Sequence, residues 1–212
     1  MIAEIWELLR SRSDFFLDLL LEHLTISAVS IALAMLLGLG MGIFISEWPK
    51  TSKLVMAVVN FIYTIPSISL LGFLIPLSGI GNTTAVIALT VYALLPMVRN
   101  THTGLTHVSP LLLEAATGMG CTKTQVLFKV KLPLAVPVIM AGVRNMAVMT
   151  IALAGIASFI GAGGLGVAIY RGITTNNKAM TLAGSLLIAA LAIVVDQLLG
   201  ILEKQTKKHK GA

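Results

Sequence analysis

Four groups of residues in this sequence have types and spacings that can do chemistry. The run GAGGLG at 161–166 satisfies GxGxxG, the pattern that cradles a dinucleotide pyrophosphate. That use requires a strand before it and a helix after it in a βαβ unit. Here a long apolar run precedes it, so nucleotide binding is excluded. Gly161, Gly163, Gly164 and Gly166 instead suit a tight turn or a re-entrant loop. The run GMGCTKT at 118–124 resembles a phosphate loop, but Thr122 stands where that motif needs the glycine directly before Lys123. Arg144 and Asp196 are charges inside apolar runs, where a central charge costs about 3 kcal/mol. Both lie off-centre, which favours anchoring over ligand contact. His23, His102, His107 and His209 form no pair at ligand spacing, and Cys121 is the only thiol. No catalytic residue and no metal set is expected.

The elements that hold these residues follow from composition. Of 212 residues, 57% are apolar and 11% charged, with a mean hydropathy of +0.94. A soluble domain carries about a quarter charged residues. The expected class is therefore an all-α polytopic membrane protein; a β-barrel would show short alternating segments. Five apolar runs approach the length of a bilayer crossing, at 24–45, 54–77, 83–98, 135–160 and 179–202. Pro66 and Pro96 predict kinks in the second and third. The first 21 residues mix Trp6, Phe15 and Phe16 with acids, lack a basic leader and read as an interfacial helix. The membrane domain is then 22–203, followed by a basic tail at 204–212.

Charge sets the orientation. With the N-terminus outside, the inner loops at 46–53, 99–133 and 203–212 hold ten basic residues and the outer segments four. This distribution predicts N-out, C-in, and it accounts for the net charge of +6 without any nucleic-acid partner.

The loop at 99–133 has local structure legible in its sequence. Ser109-Pro110 reads as an N-cap followed by proline in the first helical turn. A short helix over 111–117 then carries Glu114 with the small Ala115 and Ala116, which allow close approach of another surface. Gly118 and Gly120 permit a bend. Thr122 and Gln125 have capping-box spacing for a second helix, and Pro133 leads into the fourth span. Two short helices around a glycine bend would make a cytosolic knob over about 109–133.

That loop contains EAATGMG, then nine residues, then VKLP. It resembles the EAA signature of binding-protein-dependent ABC importer permeases at each fixed position: Glu114, Ala115, Ala116, Gly120, Val130, Leu132 and Pro133. Five further segments resemble the permease subunits of glycine betaine, carnitine and choline importers: EHLTIS from Glu22, YTIPS from Tyr63, LPMVRNTHTG from Leu95, LPLAVPVIMAGVR from Leu132 and ASFIGAGGLG from Ala157. The resemblance covers nearly all of 20–200 and implies a permease in a bacterial cell membrane. Its partners would be two ABC ATPase subunits, an extracytoplasmic substrate-binding protein and a second permease, preferentially a non-identical one. ATP and Mg would be bound by the ATPase, with no cofactor in this chain.

On this resemblance the 109–133 loop couples to the ATPase. Tyr63, Pro66 and Ser67 lie on the candidate substrate path, and the 161–166 glycines form either a simple turn or an outer gate touching the binding protein. The alternatives are an importer permease for another small solute such as an amino acid, a secondary transporter, or a membrane enzyme. The last needs a polar catalytic cluster and the secondary transporter needs intramembrane acids; neither stands out.

Overall fold

The computed structural model describes residues 1–208; 209–212, the end of the expected basic tail, lies outside them. The order of helices is α1 (Ile2–Ser11), α2 (Ser13–Glu47), α3 (Pro49–Thr64), α4 (Ser67–Ser78), α5 (Asn82–Thr106), α6 (Pro110–Gly118), α7 (Lys123–Gln125), α8 (Leu132–Ala157), α9 (Gly166–Thr174) and α10 (Lys178–Lys208). A π-helical turn, Val126–Lys131, joins α7 to α8, and a 3-10 turn, Ser158–Ile160, ends α8. Among the described residues four helical runs are long and apolar enough to cross a bilayer: α2, α5, Lys123–Ile160 and Lys178–Thr206. The bent pair α3–α4 makes a fifth if counted as one span.

Residues 1–21 do not form one helix. The chain breaks at Arg12 (φ −123°, ψ 37°), and α2 then runs 35 residues from Ser13 with no proline to stop it. At about 1.5 Å per residue it is about 52 Å long, more than a bilayer core. Its first turns are not peripheral, because Phe16 and Leu19 pack with Leu165, Met180 and Ala183 of the opposite end of the chain.

The second expected span is the largest correction. It is two helices meeting at 99°. A residue before proline is pushed out of the helical region, and Ile65 accordingly has φ −67°, ψ 126°. The Tyr92 hydroxyl then donates to the Ile65 carbonyl, satisfying an acceptor that the break leaves free. Pro96 and Pro137, by contrast, sit inside continuous helices.

Small residues fill much of the interior beside larger ones such as Met97, Leu105 and Met146, while many large side chains face outward. Ala34, Ala85, Ala93 and Ala135 are fully buried, whereas Leu36, Phe61, Phe73 and Leu77 are exposed. Buried alanines and exposed large apolar side chains suit a lipid surface, where helices associate by close contact. Gly38 and Gly42 bring α2 close against α5: a Cβ on Gly38 would stand 2.7 Å from Met97 side-chain atoms, and one on Gly42 2.5 Å from Thr101.

Candidate functional site

The 109–133 loop opens with α6. Ser109 holds the N-cap position and Pro110 starts the helix, but the Ser109 hydroxyl makes no capping bond. The helix ends in a Schellman turn. Cys121 N–H donates to the Ala116 carbonyl at 3.1 Å and Gly120 N–H to that of Thr117 at 2.9 Å. Gly120 supplies the left-handed residue, φ +83°, whereas Gly118 needs no such conformation. The expected capping box is present: Thr122 N–H donates to Gln125 Oε1 at 2.8 Å, and Gln125 N–H to Thr122 Oγ1 at 3.3 Å.

The second expected short helix is not separate. It begins a continuous helical run from Lys123 to Ile160, in which the π-helical turn Val126–Lys131 leads directly into Leu132 and Pro133. Val130 and Leu132 are half-buried in that run and Pro133 is exposed.

Of the signature residues, Ala116 is buried, while Glu114, Ala115 and Gly120 are exposed. Beside them Leu111 (75% exposed), Leu112 and Met119 (79% exposed) form an apolar surface that the sequence reading had not singled out. Lys131 Nζ lies 2.8 Å from Glu47 Oε1 and ties the base of this unit to the end of α2. A cavity of about 580 Å³ opens beneath, lined by Trp48, Cys121 and Lys123 among others.

The break between α3 and α4 forms a second feature. Tyr63, Pro66 and Ser67 are brought together there, with Tyr92, Met149 and Leu153, around an open cleft of about 290 Å³.

The glycine loop between the 3-10 turn and α9 is the third. Gly161 (φ 75°) and Gly164 (φ 86°) are left-handed. Glu22 accepts from the Gly164 N–H at 3.1 Å and from Asn82 Nδ2 at 2.8 Å, while Asn82 Oδ1 accepts from the Gly163 N–H at 2.8 Å. A Cβ on Gly163 would fall on the Glu22 carboxylate, and one on Gly166 on the Gly155 carbonyl, so these positions need glycine for close approach. Glu22 and Asn82, far apart in sequence, thus join α2, α5 and the loop. Replacing Glu22 by alanine removes two acceptors at once. Hydrogen exchange of the Gly164 amide is expected to accelerate about tenfold or more, as loss of a charged hydrogen bond implies; unchanged exchange would show the staple to be idle.

Arg144 and Asp196 are partners. Nε and Nη2 of Arg144 donate to the two Asp196 oxygens at 2.5 and 2.7 Å, and Nη1 reaches Glu203 at 3.4 Å. His23 is fully buried and its Nε2 donates to the Ile151 carbonyl at 3.1 Å. His102 Nε2 lies 3.2 Å from Ser52 Oγ.

A family model described as "Binding-protein-dependent transport system inner membrane component" matches residues 27–208. The choline transport system permease protein OpuBB of Bacillus subtilis is 40% identical over 87% of this chain and 85% of the relative. The glycine betaine/carnitine/choline transport system permease protein OpuCD of the same organism is 41% identical over 90% and 85%. Among solved structures, the inward-facing MetNI methionine ABC transporter matches with a TM-score of 0.83 at 25% identity, over 90% of this chain and 95% of that one.

Proposed function

This chain belongs to the binding-protein-dependent transport system inner membrane components, and from that membership we propose how it works. It is a multi-pass membrane permease subunit that imports small trimethylammonium solutes, moved by ATP hydrolysed on a partner chain. The observation that carries the coupling role is α6: a signature-bearing helix that ends in a left-handed turn and leaves Leu111, Leu112 and Met119 uncovered. Glu114 and Ala115 lie exposed on the same helix, where an ATPase groove could seat them. Ala116 packs inward. Val130, Leu132 and Pro133 belong to the rigid run Lys123–Ile160, so movement of α6 is passed straight into a membrane span.

Two ATPases, a second permease and an extracytoplasmic binding protein complete the transporter. The second permease is preferentially non-identical. ATP and Mg reside on the ATPases, and this chain's part is mechanical. The loop at 161–166, held by Glu22 and Asn82, acts at the outer mouth as a gate or a binding-protein contact. The substrate class is supported by relatives named for choline and for glycine betaine, carnitine and choline at 40 and 41% identity. Amino-acid import has less support, from a methionine transporter at 25%. The deciding experiment is ATP-dependent uptake of labelled choline, carnitine and glycine betaine into proteoliposomes holding the assembled complex. Uptake of none of the three overturns the substrate class, and failure of an ATPase to co-purify overturns the importer itself.

Orientation has its own test. Cys121, half-buried beneath α6, is the sole thiol and lies on the cytoplasmic side in the N-out arrangement. An impermeant maleimide is expected to label inside-out vesicles and to leave intact cells unlabelled. Labelling from outside reverses the topology.

A further inference from the structure

The cleft at the break of the second span has a chemistry of its own. Its lining residues are Tyr63, Thr64, Ile65, Pro66, Ser67, Tyr92, Met149 and Leu153, and none carries a formal charge. The rings of Tyr63 and Tyr92 stand edge to face, with centroids 5.8 Å apart and planes at 65°. Both hydroxyls are engaged: Tyr92 donates to the Ile65 carbonyl and Tyr63 to Met149 Sδ at 3.5 Å. The rings are therefore held in place by their ends. Tyr92 is 6% exposed, whereas Tyr63, at 41%, keeps ring surface open to the cleft.

We propose that this cleft is a transit subsite in which the trimethylammonium head of the solute rests against Tyr63, backed by Tyr92 and Met149; this rests on the substrate class given above. A fixed cation is drawn to the negative face of an aromatic ring within about 6 Å of its centroid. A trimethylammonium has no N–H to satisfy, so it leaves no unpaired donor when it gives up water against an apolar wall. A primary ammonium head in the same place would lose hydrogen bonds that this uncharged lining does not replace. The same lining explains why the subsite holds its guest weakly. One accessible ring and no counter-charge fall well short of a full aromatic cage, and a permease must release what it receives. The position also suits a moving part. The cleft straddles the joint between α3 and α4 and borders α8, whose helical run begins at the coupling loop.

The test replaces Tyr63 by phenylalanine and then by phenylalanines bearing one, two and three ring fluorines, in the assembled complex in proteoliposomes. Shape is kept while the negative ring face is progressively erased. Uptake of choline and glycine betaine is expected to survive Tyr63→Phe and then to fall stepwise, by about tenfold across the series. Solute affinity of the binding protein, a separate chain that carries no substitution, serves as the control. A flat series in complexes that import normally overturns the subsite alone. Failure of the wild-type complex to import any of the three solutes overturns the substrate class, and the subsite with it.

Discussion

Replacing Gly120 by valine is expected to leave a chain that inserts and assembles but has lost most of its binding-protein-stimulated ATP hydrolysis. Gly120 has φ +83°, and no atom lies within 4 Å of the position a Cβ would take. Steric collision is therefore not the problem; the conformation is. A left-handed backbone costs an ordinary L-residue about 1–2 kcal/mol, and a β-branched residue is a genuine outlier there. The strain is relieved by unwinding the Schellman turn that fixes α6 against the start of the 123–160 run. In the coupling role proposed for α6, a helix that points elsewhere does not pass ATPase closure to the membrane. Stimulated hydrolysis in the reconstituted complex is expected to fall about tenfold. Gly120→Asn, which tolerates the left-handed region, should retain much of it. Gly118→Ala serves as the control, because Gly118 has no left-handed φ and open space around it. Wild-type stimulation in Gly120→Val would remove the bend from the mechanism.

The second large effect concerns stability. Arg144→Leu takes the bidentate partner from Asp196 and a contact from Glu203, leaving two carboxylates on one face of α10 without that guanidinium. Removing one member of such a pair is worse than removing both, because the remaining charge keeps its desolvation cost. The Arg144 and Asp196 side chains are about a third exposed, 36 and 35%, so the loss is smaller than for a fully enclosed pair. A fall in Tm of the purified complex on the order of 5 °C is expected. The double variant Arg144→Leu with Asp196→Leu should recover a good part of it. Arg144→Lys should recover less, since a lysine lacks the planar fork that engages both oxygens. If the single and double variants melt alike, the pair does not hold α10 to α8.

The local features of the loop were legible because their causes lie within a few residues. The Thr122–Gln125 capping box, the Pro110 start and the Gly120 turn each depend on side chains no more than four positions away. The Ser109 hydroxyl shows the limit even there, as it occupies the cap position without making the bond. The helix boundaries were less legible. Hydropathy marks where lipid begins, not where hydrogen bonding stops, so α2 starts at Ser13, well before its apolar run, and α5 continues to Thr106 past Arg99 and His102.

Prolines separate the two kinds of information most clearly. Pro66, Pro96, Pro133 and Pro137 look alike in sequence, yet only Pro66 stands at a 99° break. A proline always removes one donor and crowds the preceding turn. Whether the helix bends depends on what can satisfy the freed groups, and at Ile65 that is the hydroxyl of Tyr92, 27 positions away. The Glu22–Gly164 bond spans 142 positions and the Arg144–Asp196 pair spans 52.

The amino-acid sequence by itself determined the membrane class and the approximate spans, through composition and local periodicity, and it carried the EAA signature and the family through the resemblance of short segments. The tertiary structure alone decided the aromatic cleft, the stapled glycine loop and the Arg144 cluster. Each needs polar groups from distant helices to meet inside a low-dielectric bundle, and which helices meet is set by the packing of small residues such as Gly38 and Gly42 on α5.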